Sequence, residues 1–240
     1  MSTWELIRAP GVGTVLVINS HVAVLAFAYT AVMPVFLFEP IHLGGTSFSP
    51  FWISVFMGVG GLSQALWLLF VFPPLQRRIN TGGVLKVCAI AWPFFFTAWP
   101  LGNWLLRRHF NAVFWTVAPV VTVVGSGVAM AFGMFFNHVF VNRCMLIVLV
   151  ACQLAVNDIA PSHETLGTLN AVVIASSSGI RSIVPALSTS LYATGVRNQI
   201  LGGQMFWLIM VIAAALLYLV VRYLPEKAKG KVTRREESST

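Results

Sequence analysis

Apolar and polar positions alternate on a long wave in this chain, in runs of about 20 or more mostly apolar residues, each closed by proline, glycine or charge. At 1.5 Å of rise per residue, about 20 residues span the roughly 30 Å hydrocarbon core of a bilayer, so each run predicts a membrane-spanning helix. Five are plain, at about 11–37, 51–72, 83–105, 167–193 and 203–224. Their ends carry Glu39 and Pro40, Pro50, Pro73 and Pro74 with Arg77 and Arg78, Arg107 to His109, Gly195 with Arg197, and Pro225 with Glu226. These residue types stop helices or resist burial in lipid. A sixth apolar tract, 113–156, would be roughly 65 Å long as one helix, about twice the bilayer core. Dividing it near Asn137 and His138 gives seven spans and puts the two chain ends on opposite sides.

Charge placement separates the two counts. Arg222, Lys227, Lys229, Lys231, Arg234 and Arg235 follow or close the last run, so the basic tail at 225–240 is expected in the cytoplasm. With six spans, Arg8, Arg77, Arg78 and Lys86 join them, giving ten basic residues inside against three outside, Arg107, Arg108 and Arg197. With seven, the Arg77 loop and the tail fall on opposite sides and one of them breaks the rule. Six spans are therefore expected. The surplus length is accounted for by Gly133–Leu149, whose removal joins Phe132 to Val150 and restores one ordinary span. That segment contains Asn142 and Arg143, poor choices for a lipid-facing position. It reads either as the translation of a short retained intron or as a genuine extra or re-entrant helix.

Composition agrees with a lipid solvent. Of 240 residues 58% are hydrophobic and 9% charged, with a mean hydropathy of +0.83, far from the roughly 25% charged fraction of soluble domains. The net charge of +8 does not indicate nucleic acid, because the basic residues cluster between and after apolar runs instead of interleaving with aromatics on a polar face. Cys88, Cys144 and Cys152 lie inside apolar segments without CxxC spacing and are expected to pack, not to bind metal or cycle redox. Met1 to Pro10 lacks the pattern of a secretory signal.

Several local strings carry a family resemblance: Phe72-Pro-Pro-Leu-Gln-Arg-Arg78, Val156-Asn-Asp158 with Pro161-Ser162, Leu166-Gly-Thr-Leu-Asn170, and Ser178-Gly-Ile-Arg181 with Pro185-Ala-Leu187. In this order they resemble the final six helices of fungal major facilitator superfamily transporters related to the zinc-induced-facilitator-like and drug:proton antiporter groups. The resemblance covers nearly the whole chain except Gly133–Leu149. It implies an all-α membrane protein in which six transmembrane helices form one half of a twelve-helix fold, with a substrate path between halves near the membrane midplane. The chain is then expected to act with a missing N-terminal half or with a second copy of itself.

Candidate chemistry concentrates on 167–193. Asn170, Ser177, Arg181 and Ser188, joined by Ser178 and Ser182, recur at helical spacing and form one polar stripe. Arg181 lies about 21 Å along from Gly167. An arginine at such depth costs at least about 2.5 kcal/mol, so it must face protein or a water-filled cavity. It either binds an anionic substrate group or a proton-coupling carboxylate, or locks helices together. Pro185 leaves the Arg181 carbonyl without its helical partner and favours a kink. Asp158 and Asn157 are an inner gate or relay, or a cap for the following helix. Glu39 has the same two readings. His21, with Tyr29 eight residues on and on the same face, binds substrate, relays a proton or hydrogen-bonds a neighbouring helix. Arg77 and Arg78, with Gly82 and Gly83, sit in a tight cytoplasmic loop that is a gating latch or plain topogenic charge. Gly58, Gly60 and Gly61 permit close helix approach, and Trp52 and Trp99 read as interface anchors.

The sum is a secondary active transporter, moving a small molecule or ion by alternating access with proton coupling. The alternative is a non-transporting membrane remnant or half-transporter acting through a partner. No cofactor, metal or nucleic acid is expected, and zinc is not implied, because no set of ligands has the spacing for it. GxSxG, HExxH and paired intramembrane aspartates are all missing, which argues against an enzyme.

Overall fold

Lipid offers no partner for backbone N–H and C=O groups, so apolar runs of this length must close their hydrogen bonds internally as helices. The computed structural model describes residues 12–135 and 163–222. Among them lie six α-helices and no strand: α1 Val12–Phe38, α2 Pro50–Leu66, α3 Phe72–Arg107, α4 Asn111–Phe135, α5 His163–Arg197 and α6 Met205–Arg222. By length and composition α1, α6 and the Ala171–Arg197 part of α5 are long and apolar enough to cross a membrane, while α2 and Asn111–Gly125 are shorter apolar helices. At the ends that fall inside the described residues, α1 stops at Phe38 and α6 starts at Met205. Residues 136–162 and 223–240 lie outside the described residues, and with them most of Gly133–Leu149, the Asn137–His138 division, Asn157, Asp158, Cys144, Cys152 and the basic tail.

One boundary differs from expectation. The loop expected around Arg77 and Arg78 is helical in the backbone, because α3 runs from Phe72 through Gly82, Gly83 and Lys86 to Arg107. It joins α2 through a π-helical turn at Trp67–Val71. The reason lies in Pro73 and Pro74, which lack the amide donors that would close ordinary turns onto Leu69 and Phe70; the helix widens there instead of stopping. The chain still reverses between Phe56 and Gly102, which approach neighbouring residues of α4. Phe56 lies 6.3 Å from the Trp115 ring, and Gly102 lies against the adjacent Phe114.

Pairings between helices establish their directions. Tyr29 packs on Phe95 and Phe36 on Trp99, so α1 and α3 are parallel. Tyr29 and Phe36 both reach Trp207, and His21 reaches Ala213, so α6 is antiparallel to α1. Arg181 lies over Phe27, while Val35 and Val196 line one cleft farther along, which makes α5 parallel to α1. The turns at 39–49, 108–110 and 198–204 therefore share one end of the bundle. The six-span reading likewise puts Arg107, Arg108 and Arg197 at a common end.

The core lies where α1, α3 and α6 meet. Trp207, Met210, Ala214, Leu217 and Val221 of α6 are buried at alternating steps of three and four, the seam spacing of helices packed knobs-into-holes. Phe36, Trp99 and Trp207 form its aromatic centre, with Phe36 5.0 Å from Trp207 and the two indoles stacked at 6.2 Å. Between lipid-soluted helices such contacts stabilise through dispersion and shape, since lipid is as apolar as the side chains. Trp99 is thus not an interface anchor: it is buried, because the α3 face it occupies meets both α1 and α6. Trp52 is exposed, 5.2 Å from Trp115. The glycines of α2 also depart from expectation, since a Cβ at Gly58 or Gly61 would meet open space. Close approach occurs at Gly125, against the Phe95 ring, because that is where α3 and α4 cross.

Candidate functional site

Two polar features stand out in this apolar bundle. The first is the stripe on α5. Positions 174, 181 and 188 share a face by sevenfold spacing, yet that face is covered at one level and open at another. Ser188, Tyr192 and Val196 are buried against neighbouring helices, whereas Ile174, Ser178 and Arg181 are exposed. The Arg181 guanidinium sits 6.0 Å from the centre of the Phe27 ring, within range of a cation–π contact. Several hydroxyls of the stripe return to their own helix: Ser182 donates to the Gly179 carbonyl at 2.9 Å and Ser188 to that of Val184 at 2.7 Å. Bonded this way, a serine can sit in apolar surroundings without a partner on another helix. Ser177 is half-buried. The α5 backbone carries Asn170 on the same face, and its side chain lies outside the described residues, as do those of Arg77 and Arg78.

His21 faces elsewhere. Its Nε2 donates to the Ala213 carbonyl of α6 at 2.8 Å, which places the imidazole in a helix–helix hydrogen bond. Tyr29 also points to α6, so the shared face expected for the two residues is present. His21 thus addresses α6, whereas Arg181 reaches from α5 to Phe27 of α1. Among the described residues no group of three or more His, Cys, Asp and Glu is placed to hold a metal ion, and Cys88 is buried in the core.

The second feature is a knot of side chains at the turn end. The Arg107 guanidinium donates to the carbonyls of Ile41 at 3.2 Å, His42 at 3.2 Å and Gly202 at 2.8 Å. Asn103, one turn earlier on α3, donates to the carbonyls of Ile41 at 3.0 Å and Gly45 at 2.6 Å. Gln204 donates to the Gly44 carbonyl at 2.9 Å and to Asn103 Oδ1 at 3.2 Å. Three side chains thus join the 39–49 turn, the end of α3 and the 198–204 turn. The backbone there is tight. Gly203 has φ of +85°, and a Cβ on it would collide with the Leu43 carbonyl. Sequence reading treats Arg107 only as a topogenic charge; the available signal was the set of glycines at 44, 45, 202 and 203, which mark close backbone approach.

The chain is 40% identical, over 241 residues covering 99% of it, to the Aspergillus niger protein named "Efflux pump azaK". Two proteins named "Major facilitator-type transporter psiT2" are also similar: that of Psilocybe cyanescens at 28% identity over 78% of this chain, and that of Psilocybe cubensis at 22% over 89%. The chain spans less than half the length of these relatives, 48%, 35% and 39% respectively. No family model and no solved structure matches it. With its apolar helices alternating in direction, and with likeness to a fungal efflux pump along almost its entire length, this integral membrane chain belongs to the fungal major facilitator transporters and corresponds to a half of one.

Proposed function

We propose that the chain is the C-terminal half of a secondary active transporter, in which α1 and α5 line one wall of a solute path that a second half completes. The observation carrying this reading is the open level of α5, where Arg181 is exposed beside Phe27 with no acidic partner among the described residues. A guanidinium at that depth is not tolerated facing lipid, so its exposed side is the side on which protein or water must lie. On this reading Arg181 receives an anionic group of the solute or a carboxylate whose protonation drives exchange. Ser177 and Asn170 extend the same polar wall, and Asp158 is the carboxylate we assign to the inner end. Arg77 and Arg78, in the first turns of α3, are a cytoplasmic latch, His21 supports the wall through α6, and the basic tail is cytoplasmic. Solute moves outward in exchange for protons as the two halves rock about the path.

The test is flux across proteoliposomes under an imposed pH gradient, with this chain co-expressed with an N-terminal half from a full-length relative. Flux is expected only with both halves, and Arg181→Ala is expected to lower it at least a hundredfold while Arg181→Lys retains part. Undiminished flux in Arg181→Ala would overturn the assignment. Flux by the chain alone would overturn the need for a second half.

A further inference from the structure

Besides the open face at Arg181, the described residues contain a cleft with charges of both signs. It lies at the turn end between α1 and α5, has a volume of about 510 Å³, and is lined by Glu39 and Arg197 among apolar residues that include Val35, Leu43 and Val196. Tyr192 also lines it. This tyrosine is 2% exposed, and among the described residues its buried hydroxyl has no hydrogen-bond partner. A buried hydroxyl left unpaired costs about 1–3 kcal/mol, so the position calls for a partner that the described residues do not supply. The Glu39 carboxylate is close enough for its charge to act on that hydroxyl. Glu39 is also firmly based: its carbonyl accepts from the Ser47 amide at 2.9 Å, and Gly45 packs directly against it. Among the described residues, neither Glu39 nor Arg197 makes an ion pair, although both line the same cleft.

We propose that this cleft binds a small zwitterion, with its ammonium on Glu39, its carboxylate or phosphate on Arg197, and the Tyr192 hydroxyl hydrogen-bonding to the ligand between them. A singly charged ligand would engage only one of the two wall charges, and an apolar one would engage neither and leave the buried Tyr192 hydroxyl without a partner. The apolar walls at Val35, Leu43 and Val196 suit an aliphatic body attached to the charged ends. Two sources share this chemistry: a free amino acid with an aliphatic side chain, and the ethanolamine phosphate of a lipid at the membrane edge. The proposal does not depend on the chain's transporting anything, so loss of flux would leave it standing.

The experiment is calorimetric titration of the purified full chain in detergent with leucine, with isoamylamine and with 4-methylpentanoate, which keep the leucine body but only one charge each. Dihexanoyl phosphatidylethanolamine and dihexanoyl phosphatidylglycerol form the lipid arm. At least one zwitterion is expected to bind ten times more tightly than its singly charged counterparts. Glu39→Gln and Arg197→Gln should each weaken it at least tenfold, and Tyr192→Phe, which removes one oxygen and little else, several-fold. Binding of leucine alone identifies a free solute, and binding of phosphatidylethanolamine alone a lipid headgroup. If neither zwitterion exceeds its singly charged analogues, or if all three variants bind as the parent does with unchanged tryptophan fluorescence, the proposal is overturned.

Discussion

Arg107 illustrates how a charge on the chain acquires a purpose that its sign does not reveal. It serves as a planar fork on three backbone carbonyls from two different turns, a geometry that lysine, with a single ammonium, cannot reproduce. Hydrogen bonds to charged groups contribute about 1.5–3 kcal/mol when well ordered, and solvent at this exposed end reduces that. Arg107→Ala should therefore destabilise the bundle by about 1–2 kcal/mol in denaturant unfolding followed by tryptophan fluorescence. Arg107→Lys should recover less than half of the loss. Arg108, whose guanidinium lies 5.8 Å from the Trp104 ring, is the control, and its alanine variant should stay within about 0.5 kcal/mol of the parent. Glycine offers a second contrast at this scale. Gly203→Ala meets both a positive φ and the Leu43 carbonyl, and should cost about 2 kcal/mol or more in the same assay. Gly58→Ala faces open space inside α2 and should be neutral or stabilising by up to about 1 kcal/mol, from helix propensity. Equal effects at the two glycines would refute the close packing of the two turns.

Among elements, α6 depends on its seam and α5 on its contrast between a covered and an open level. Trp207 is fully buried between α1 and α3, and Trp207→Ala should cost about 3–5 kcal/mol from the cavity and lost dispersion. Trp52→Ala, at an exposed position on α2, should cost far less, and a reversal of that order would place the core elsewhere. The bond from His21 to the Ala213 carbonyl joins α1 to α6. Interhelical hydrogen bonds in membranes average about 0.6 kcal/mol, so His21→Leu should have only a modest effect on unfolding. If His21 also relays protons, the same variant would remove the pH dependence of flux in the two-half system; if it only packs, that dependence would survive. Unfolding and flux measured on one variant thus separate the two roles.

For the whole molecule, the alternating helix directions put the 39–49 and 198–204 turns at one end, tied by Arg107 and Gln204. Glycan-acceptor sequences inserted after Ser47 and after Gln199 should accordingly be modified together in microsomes. The orientation proposed for the tail adds that an acceptor at the C-terminus stays unmodified, and modification of only one of the two turns would contradict the bundle. Much of this architecture was legible in the sequence. The alternation of direction and the common end of Arg107, Arg108 and Arg197 follow from apolar runs of bilayer length and from where breakers and charges interrupt them. The face shared by His21 and Tyr29 was legible as well, since helical spacing determines it. Other features were not, because they depend on which helix lies opposite. Trp99 and Trp52 are the same residue type in similar runs, yet one is core and the other surface, since only the α3 face meets two neighbours. The stripe from Ser177 to Ser188 is uniform in sequence but is covered at Ser188 and open at Arg181, because α5 is packed on that face at one level and not at the other. The sequence by itself determined which segments enter the membrane and which of their faces are polar, through composition and period. Only the tertiary structure decided which polar groups meet partners, because backbone carbonyls such as those of Ile41, Gly202 and Ala213 are present at every residue and become ligands only when folding turns them toward a donor.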